Sequence, residues 1–307
     1  MVAGISGGAD SLALAAALAF VAPRKGWVAC AVVVDHQLRE DSADDAARAV
    51  ALCRDLGLEA ETVRVAVAPG PAGPEGEART ARMAALLARA EGGHVLLGHT
   101  LDDQAETVLL GLARGSGTRS LAGMAPAQER ILRPLLGLTR ADTEAVCAAL
   151  GLTPIEDPSN ALDGPWRRAD GGPLLRSAVR HTVLPVMERE LGPRIAHALA
   201  RTAALARADA DALDAIAQAA LADARRDGGT NGEIRLAVGV LDRMHEAVRT
   251  RVLHRAIIEA GGMELTAAHT WAVARLVTDF HGQGATDLPG FVTAEREGAD
   301  LVIRRRT

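Results

Sequence analysis

The sequence opens with the stretch Met1-Val2-Ala3-Gly4-Ile5-Ser6-Gly7-Gly8-Ala9-Asp10-Ser11. Its first five residues are apolar and predict a strand, and the Ala/Leu run from Leu12 to Phe20 predicts a helix. Between them, two adjacent glycines permit positive φ and close approach of the backbone, while the helix would point its N-terminal amides at the loop. The loop therefore suits an anion, although its six residues fit an ordinary Gly/Ser turn equally well.

The loop differs from two common phosphate-binding motifs. A Walker A loop has a lysine after its last glycine, the dinucleotide fingerprint has the pattern GxGxxG, and this stretch has neither. Asp10 would lie beside phosphate oxygens, and two negative groups so close need a divalent cation between them. The loop therefore predicts a nucleotide phosphate and Mg²⁺, with Asp10 as the metal ligand.

The alternation of strand and helix continues through the first half of the chain. Strands are predicted at 28–34, 61–67 and 94–97, and helices at 41–56, 77–91 and 101–112. This order predicts an α/β fold with a parallel, doubly wound sheet, in which ligands bind outside the carboxyl ends of the strands. Asp35-His36 and the stretch Gly98–Asp103 follow two such ends, so we expect them to share one crevice with Ser6–Ser11.

The pattern changes after residue 150. Residues 157–173 are rich in proline and glycine and predict an ordered loop or linker. Beyond Val179 the chain is rich in alanine, with predicted helices at 199–224, 236–260 and 265–280 and a hairpin within 286–304. We therefore predict a catalytic domain at 1–160, a linker at 161–185 and a mainly α-helical substrate-binding domain at 186–307.

Composition and charge restrict the class of protein. The 307 residues are 49% hydrophobic and 24% charged, which suits two folded domains. Three cysteines without a CxxC pair argue against a zinc knuckle or a disulfide scaffold and favour a reducing compartment. We find no secretory signal and no apolar run of membrane-spanning length, so we expect a cytoplasmic protein without a membrane partner. A net charge of −5 argues against indiscriminate nucleic-acid binding and leaves the oligomeric state open.

The motif SGGxDS after an N-terminal strand resembles the signature of the PP-loop ATP pyrophosphatases. Within that group, later motifs resemble the tRNA(Ile)-lysidine synthase family. These motifs are Val34–Arg39, Gly98–Thr107, Arg133–Leu136, Glu156–Asn160 and Arg180–Pro185. They cover residues 1 to about 190, and their joint order is far more specific than any one of them.

The resemblance implies an adenine nucleotide alpha hydrolase-like fold and a ligase that forms a carbon–nitrogen bond. Such an enzyme would use ATP and Mg²⁺ to adenylate C2 of the wobble cytidine in the CAU-anticodon isoleucine tRNA, and free L-lysine would then displace AMP to give lysidine. Two alternatives share the loop. A PP-loop tRNA 2-thiolation enzyme usually needs paired cysteines or an iron–sulfur cluster, and a nucleotide-binding regulator would have lost the catalytic geometry.

The predicted site residues near the nucleotide form two groups. The ATP-binding residues are Ser6, Gly7, Gly8, Ala9, Asp10, Ser11, Asp35 and His36. The catalytic residues are Asp10, Arg79, His99 and Asp103. N-capping is the alternative for the acidic pair Asp102 and Asp103, with Asp102 the better candidate for a cap, and Glu106 is expected to be structural.

Basic residues elsewhere are candidates for phosphate contacts. Arg79 and Arg82 lie three apart on one helix face, where they would clamp phosphate or face solvent. The predicted tRNA-binding residues are Arg176, Arg180 and His181. The family often has Arg-x-x-Arg-Tyr and Arg-Asn-Arg at these places. This chain departs from those patterns at Met83, Ser177 and Ala178, and the Gly/Pro-rich stretch before Arg176 looks inserted.

Overall fold

The computed structural model describes residues 1–39, 41–68, 70, 73–115, 117–158, 161–168, 170–226 and 232–306. Ser159 and Asn160, the last two residues of one motif, lie outside them. The chain forms two compact units, Met1–Arg207 and Ala208–Thr307. The finer division predicted at residues 160 and 185 stays a prediction.

The first unit alternates strands and helices. Its strands are β1 (Val2–Ile5), β2 (Cys30–Asp35), β3 (Glu59–Arg64), β4 (Val95–Leu97), β5 (Ala127–Gln128) and β6 (Ile131–Leu132). Its helices are α1 (Ala9–Lys25), α2 (Ser42–Asp55), α3 (Gly73–Arg89), α4 (Leu101–Ala113), α5 (Thr118–Leu121), α6 (Arg140–Ala149), α7 (Leu175–Ala178) and α8 (Leu184–Leu191), with a π-helical turn at Val179–Val183 between the last two. A long helix, α9 (Ile195–Ala224), follows.

The sheet of this unit has the strand order β3-β2-β1-β4-β6-β5. All neighbouring strands pair in parallel except β5, which is an antiparallel edge strand. Val2 pairs with Cys30 on one side and with Val95 on the other, so the strand that carries the glycine loop is central. The chain runs outward from β1 to β3 and then crosses to β4, which makes the boundary between β1 and β4 the point where ligands bind in such sheets.

Two cores cover the two faces of the sheet. Ala3 and Ile5 of β1 pack against the apolar sides of α1 and α2. Val2 faces the other way and packs with Leu86 of α3. Because successive strand residues point to opposite faces, the short β1 is buried on both sides. The predicted parallel, doubly wound α/β fold is thus confirmed.

The second unit combines helices with an antiparallel sheet. Its elements are β7 (Ile234–Ala237), α10 (Val238–Asp242), α11 (Glu246–Glu259), α12 (Ala267–Thr278), β8 (Thr286–Leu288), β9 (Val292–Glu297) and β10 (Asp300–Arg305). The strand order is β7-β10-β9-β8. The hairpin predicted within 286–304 is confirmed as β9 and β10, and helices contribute more residues than strands, as predicted. Every described helix of the chain is too short or too polar to span a bilayer.

The single helix predicted at 236–260 is wrong. Ile234 and Leu236 are buried in β7, which pairs with β10, and the chain becomes helical only at Val238. His245 then separates α10 from α11, because its Nδ1 accepts a hydrogen bond from the Ala247 amide at 3.2 Å. Residues 234–237 form a strand because they pair with β10, which lies over 60 residues further along the chain. Local composition gives no sign of so distant a partner.

Candidate active site

A cavity of about 430 Å³ opens at the carboxyl ends of β1, β2 and β4. Its lining includes Ser6 and Gly8–Ser11 after β1, Asp35-His36 after β2 and Gly98-His99 after β4. The three polar clusters therefore lie in one crevice, as the alternation of strands and helices predicts. Arg79 and Arg176 line the same cavity, whereas Gly7, Asp103, Arg180 and His181 are not part of its lining.

The loop after β1 is held in shape by its own hydrogen bonds. Ser11 Oγ donates to the Gly8 carbonyl at 2.9 Å and accepts from the Ser6 amide at 3.2 Å. Gly7 has φ 88°, and a Cβ there would come within 2.7 Å of Ile155 Cδ1. The loop thus needs glycine at position 7 for both conformation and space, and Gly7 supports the loop from behind the cavity.

The turn after β4 packs directly on the start of α1. A Cβ at Gly98 would lie 2.9 Å from the carbonyl oxygen of Asp10 and 3.1 Å from Cα of Ser11. Only glycine permits this approach, which brings His99 to the same opening as the loop.

Asp10 presents a carboxylate to the cavity from the first turn of α1. It accepts a hydrogen bond from Thr143 Oγ1 and lies 3.6 Å from Arg140 Nε, both on α6. Burial raises the pKa of Asp10 above its usual value, and Thr143 and Arg140 offset part of that rise. A carboxylate that has lost water in this way is stabilised by a cation.

Asp35 and His36 have different roles after β2. The buried Asp35 accepts a hydrogen bond from the Gln37 amide at 2.9 Å and lies 3.7 Å from Arg64 Nε, so its carboxylate shapes the turn. His36 Nδ1 is buried and makes no hydrogen bond to any described residue. Burial and the charge of Arg82 lower the pKa of His36. The imidazole is therefore neutral and open to a ligand.

Three arginines that lie near one another line the cavity, Arg79 and Arg82 on α3 and Arg176 on α7, which we call the arginine trio. Arg82 lies in the wall with its Nε buried and without a hydrogen-bond partner among the described residues, so it is no solvated helix face. Burial and the charges of Arg79 and Arg176 lower the pKa of Arg82. In the described part of the chain, no carboxylate lies within ion-pair distance of Arg79 or Arg82. Arg79 and Arg82 are therefore suited to an anion from outside the protein.

His99 is the second histidine of the cavity. Its Nδ1 is also buried without a partner in the residues that the structure covers. Burial lowers its pKa to about 4, and the charges of Arg133, Arg82 and Arg79 act in the same direction, against Asp103. The imidazole is uncharged at neutral pH, so it can exchange hydrogen bonds with a nucleotide without adding a positive charge.

The low pKa of His99 makes stability depend on pH. The unfolded chain binds a proton at this residue below about pH 6.5, whereas the folded chain does so only below about pH 4. The free energy of unfolding therefore falls as pH drops from 6.5 to 4, by about 3 kcal/mol from this residue. We expect His99→Asn to remove that part of the pH dependence in urea unfolding. The exposed His281→Asn is the control, and equal pH curves for wild type and His99→Asn would contradict the assignment.

Asp103 lies behind the cavity at the start of α4. Its Oδ2 accepts hydrogen bonds from the Thr100 amide at 2.9 Å and from Thr100 Oγ1 at 3.1 Å, which makes a capping box. The cap expected of Asp102 thus belongs to Asp103, and Asp102 instead accepts from the Arg140 amide at 2.8 Å. Burial alone would raise the pKa of Asp103, but Thr100 and Arg140 lower it.

Glu106 is the centre of a buried ion-pair network. Its carboxylate is fully buried, with Arg180 Nε at 2.6 Å and Arg180 Nη2 at 3.1 Å. Arg140 and Arg176 each approach it to 3.9 Å, and Arg180 also lies 3.1 Å from Asp103. Arg180 belongs to the π-helical turn, a type of distortion that is frequent at functional sites. The structural role expected of Glu106 agrees with these contacts.

The three predicted tRNA-binding residues are in different surroundings. Arg176 lines the cavity, Arg180 is held by Asp103 and Glu106, and His181 is exposed in the same π-helical turn. Their contacts with RNA stay predictions.

Four residues near the site escaped the sequence-based prediction of site residues: Arg133, Arg140, Thr143 and Trp166. Arg140 and Thr143 lie in the first turn of α6, which Thr139 and Asp142 mark with a capping box that is readable in the sequence. Arg133 is buried and donates from Nη1 to the Ala125 carbonyl at 2.7 Å. Trp166 lines the cavity from the Gly/Pro-rich stretch, which carries no periodic signal.

Comparison with known proteins identifies the family of the chain. Residues 1–187 match a family described as a PP-loop domain, and residues 236–306 match one described as a TilS substrate binding domain. The chain is 49% identical over 301 residues to the tRNA(Ile)-lysidine synthase of Leifsonia xyli subsp. xyli, covering 96% of this chain and 87% of that protein. It is 48% identical over 304 residues to the synthase of Thermobifida fusca, covering 97% and 89%.

A solved structure shares the fold. The U34-tRNA thiolase NcsA from Methanococcus maripaludis aligns with a TM-score of 0.53 and 19% identity, over 66% of this chain and 70% of that one. At this identity the likeness concerns the fold alone.

Proposed function

The chain belongs to the tRNA(Ile)-lysidine synthase family, and on that basis we propose that it ligates L-lysine to C2 of the wobble cytidine in the CAU-anticodon isoleucine tRNA. ATP is a substrate, the intermediate is the adenylated tRNA, and the products are lysidine, AMP and pyrophosphate. The observation that carries the proposal is one cavity that is lined by both the PP-loop and the arginine trio. It can hold a triphosphate and a second anionic substrate together.

The triphosphate of ATP is assigned to the loop after β1. Backbone amides of Gly8–Ser11 at the N-terminus of α1 would donate to phosphate oxygens, while the Ser6 and Ser11 hydroxyls hold the loop in shape. Because these groups are fixed by the loop's own hydrogen bonds, they need no rearrangement as charge builds up during adenylation.

Asp10 fits a Mg²⁺ ion shared with the phosphates. The described residues contain no cluster of three metal-ligating side chains, but Mg²⁺ commonly uses one or two carboxylates together with substrate phosphates and water. Asp10 is the acidic residue of the loop that lines the cavity, and a bound cation would offset the burial that raises its pKa. When bound there, Mg²⁺ would neutralise charge on the departing pyrophosphate.

The other catalytic assignments follow from position and charge. Arg79 faces the cavity and is placed to stabilise the negative charge of the transferred adenylate. His36 and His99, both neutral with an open ring nitrogen, would hydrogen-bond to the nucleotides. Asp103 starts α4 and holds Arg140 and Arg180 in place, so its contribution is to position other groups.

Recognition of the tRNA is assigned to basic residues beyond the loop. Arg176, Arg180 and His181 would contact RNA phosphates, with the substrate-binding unit adding shape and phosphate contacts. We further propose the domain division at 1–160, 161–185 and 186–307, and a cytoplasmic location, where this tRNA is used.

The alternatives are less well supported. The described cysteines are free and unpaired, and Cys53 and Cys147 are buried, which does not suit a thiolase that needs paired cysteines or a cluster. A regulator without catalysis would not need Asp10 and the arginine trio in one cavity with the loop.

The test is incorporation of labelled lysine. Purified protein with ATP, Mg²⁺, labelled L-lysine and the CAU-anticodon isoleucine tRNA should transfer label to the wobble cytidine, with one pyrophosphate released per lysine. The control is the same tRNA with uridine at the wobble position, which should remain unlabelled. Binding of ATP without any lysine transfer to the cognate tRNA would refute the proposal.

A further inference from the structure

The residues that line the cavity fall into two groups by the elements that carry them, which we call its two walls. Ser6–Ser11 and α1 form the phosphate-binding wall, and aliphatic side chains from β2, α2 and the turn between them, such as Val34, Ala46 and Leu38, continue it. The arginine trio and Trp166 form the other wall, from α3, α7 and the Gly/Pro-rich stretch. Triphosphate and adenine have suitable partners on the first wall, which leaves the second wall for another ligand.

The second wall needs negative charge. Arg82 is partly buried, its Nε is shielded from solvent without a partner in the described chain, and two further guanidinium groups stand beside it. Burying a cation costs several kcal/mol unless an anion compensates it. Arg176 lies 3.9 Å from Glu106, but that carboxylate is already held by Arg180 at 2.6 Å. A phosphate group brought by a substrate would supply the missing charge.

Trp166 adds a flat apolar surface to the same wall. The chain has only three tryptophans and three phenylalanines, with no tyrosine, and Trp166 is the one residue of these types among the described residues that line the cavity. Proteins bind unpaired RNA bases by stacking them on aromatic side chains. A base that is modified at C2 must first leave its neighbours in the anticodon loop.

We propose that Trp166 and the arginine trio form the subsite for the wobble nucleotide. The cytosine stacks on Trp166, and Arg82 with Arg176 binds the phosphate next to it. This subsite rests on the proposed function. It assigns Trp166 to the step that selects the wobble cytosine. Arg79, between this subsite and the loop, then meets the α-phosphate as it is transferred.

Fluorescence of Trp166 tests the stacking. In a Trp27→Phe/Trp271→Phe protein, Trp166 is the single tryptophan. We expect an RNA stem-loop with the CAU anticodon to quench its emission in the presence of ATP, and the same stem-loop with an abasic wobble position to leave it unchanged. Full quenching by ATP alone, or equal quenching by both RNAs, would overturn the proposal, because Trp166 would then contact adenine or the RNA backbone.

Kinetics give an independent readout. A stacked base contributes about 1–3 kcal/mol, so Trp166→Ala should raise the KM for tRNA by roughly 5- to 150-fold and leave the KM for ATP within about twofold. Trp166→Phe should retain most of the affinity. The matched control is Trp27→Ala, since Trp27 precedes β2 at the opposite end of the strands.

The arginines have a control on the same helix. Arg82→Gln should raise the KM for tRNA, whereas Arg89→Gln, which removes an exposed ion pair with Glu61, should not. If wild type transfers lysine and Trp166→Ala keeps the wild-type KM for tRNA, the subsite is wrong and the proposed function stands. If wild type transfers no lysine although the CAU stem-loop quenches Trp166, the proposed function is wrong and the nucleotide subsite stands.

Discussion

Asp10→Asn is expected to slow pyrophosphate release by at least about 100-fold, the loss that follows removal of a single group that stabilises transition-state charge. Asparagine keeps the shape and can still accept the hydrogen bond from Thr143, but it lacks the charge that holds a cation beside the triphosphate. The measurement is tRNA- and lysine-dependent pyrophosphate release over a range of Mg²⁺ concentrations. Wild type should saturate, and the variant should stay slow at every concentration.

Stability separates this loss from unfolding. The pKa of Asp10 is raised by burial, so the ionised carboxylate is less favourable in the folded chain than in the unfolded one. The neutral asparagine should therefore leave the free energy of unfolding at pH 7 unchanged or higher. Asp44→Asn, at an exposed position in the first turn of α2, is the matched control and should keep full activity. Turnover of Asp10→Asn at the wild-type rate would contradict the metal assignment.

The sequence predicted the first unit well because its elements are specified locally. Apolar runs and Gly-rich breaks alternate from Val2 to Ala113, and a parallel sheet buried on both faces needs only that alternation. It also predicted the crevice, since the polar residues directly follow strand ends. The second unit was harder, because β7 exists only through its pairing with β10.

The same limit applied to the site. Three of the predicted clusters directly follow the ends of strands, namely Ser6–Ser11, Asp35-His36 and Gly98-His99. Their position in the sequence was therefore enough to predict that they meet in one cavity. Thr143 reaches Asp10 across 133 residues, and Trp166 enters the cavity from a stretch without periodicity. Contacts of this kind depend on how the sheet and helices pack, which no short pattern records.

Arg140 links the loop to the buried network. Its guanidinium lies 3.6 Å from Asp10, 3.4 Å from Asp103 and 3.9 Å from Glu106. Arg180 closes the network from the π-helical turn. Asp10, the predicted metal ligand, is thus connected through Arg140 and Arg180 to the segment that carries the predicted tRNA contacts. Both arginines are ion-pair partners of Glu106, so their positions depend on that carboxylate.

Arg180→Met is expected to lower the free energy of unfolding by about 3–5 kcal/mol, because it leaves the fully buried Glu106 without its main partner. Arg140 and Arg176 remain near Glu106, but at 3.9 Å neither replaces the bond at 2.6 Å. Urea unfolding followed by Trp27 and Trp166 in a Trp271→Phe protein measures the first unit. Arg189→Met is the control, since it removes only an exposed ion pair with Glu190 and should have little effect.

A double-mutant cycle with Glu106→Gln distinguishes a lost ion pair from lost packing. When position 106 carries neutral glutamine, removal of Arg180 no longer leaves an unpaired buried charge. The free energy of unfolding of the double variant should therefore exceed the value expected from adding the two single losses, by at least about 1.5 kcal/mol. Additive effects would show that packing dominates. The same double variant isolates the predicted RNA contact: if Arg180 also binds tRNA phosphate, the KM for tRNA stays raised over that of Glu106→Gln alone after stability has been recovered.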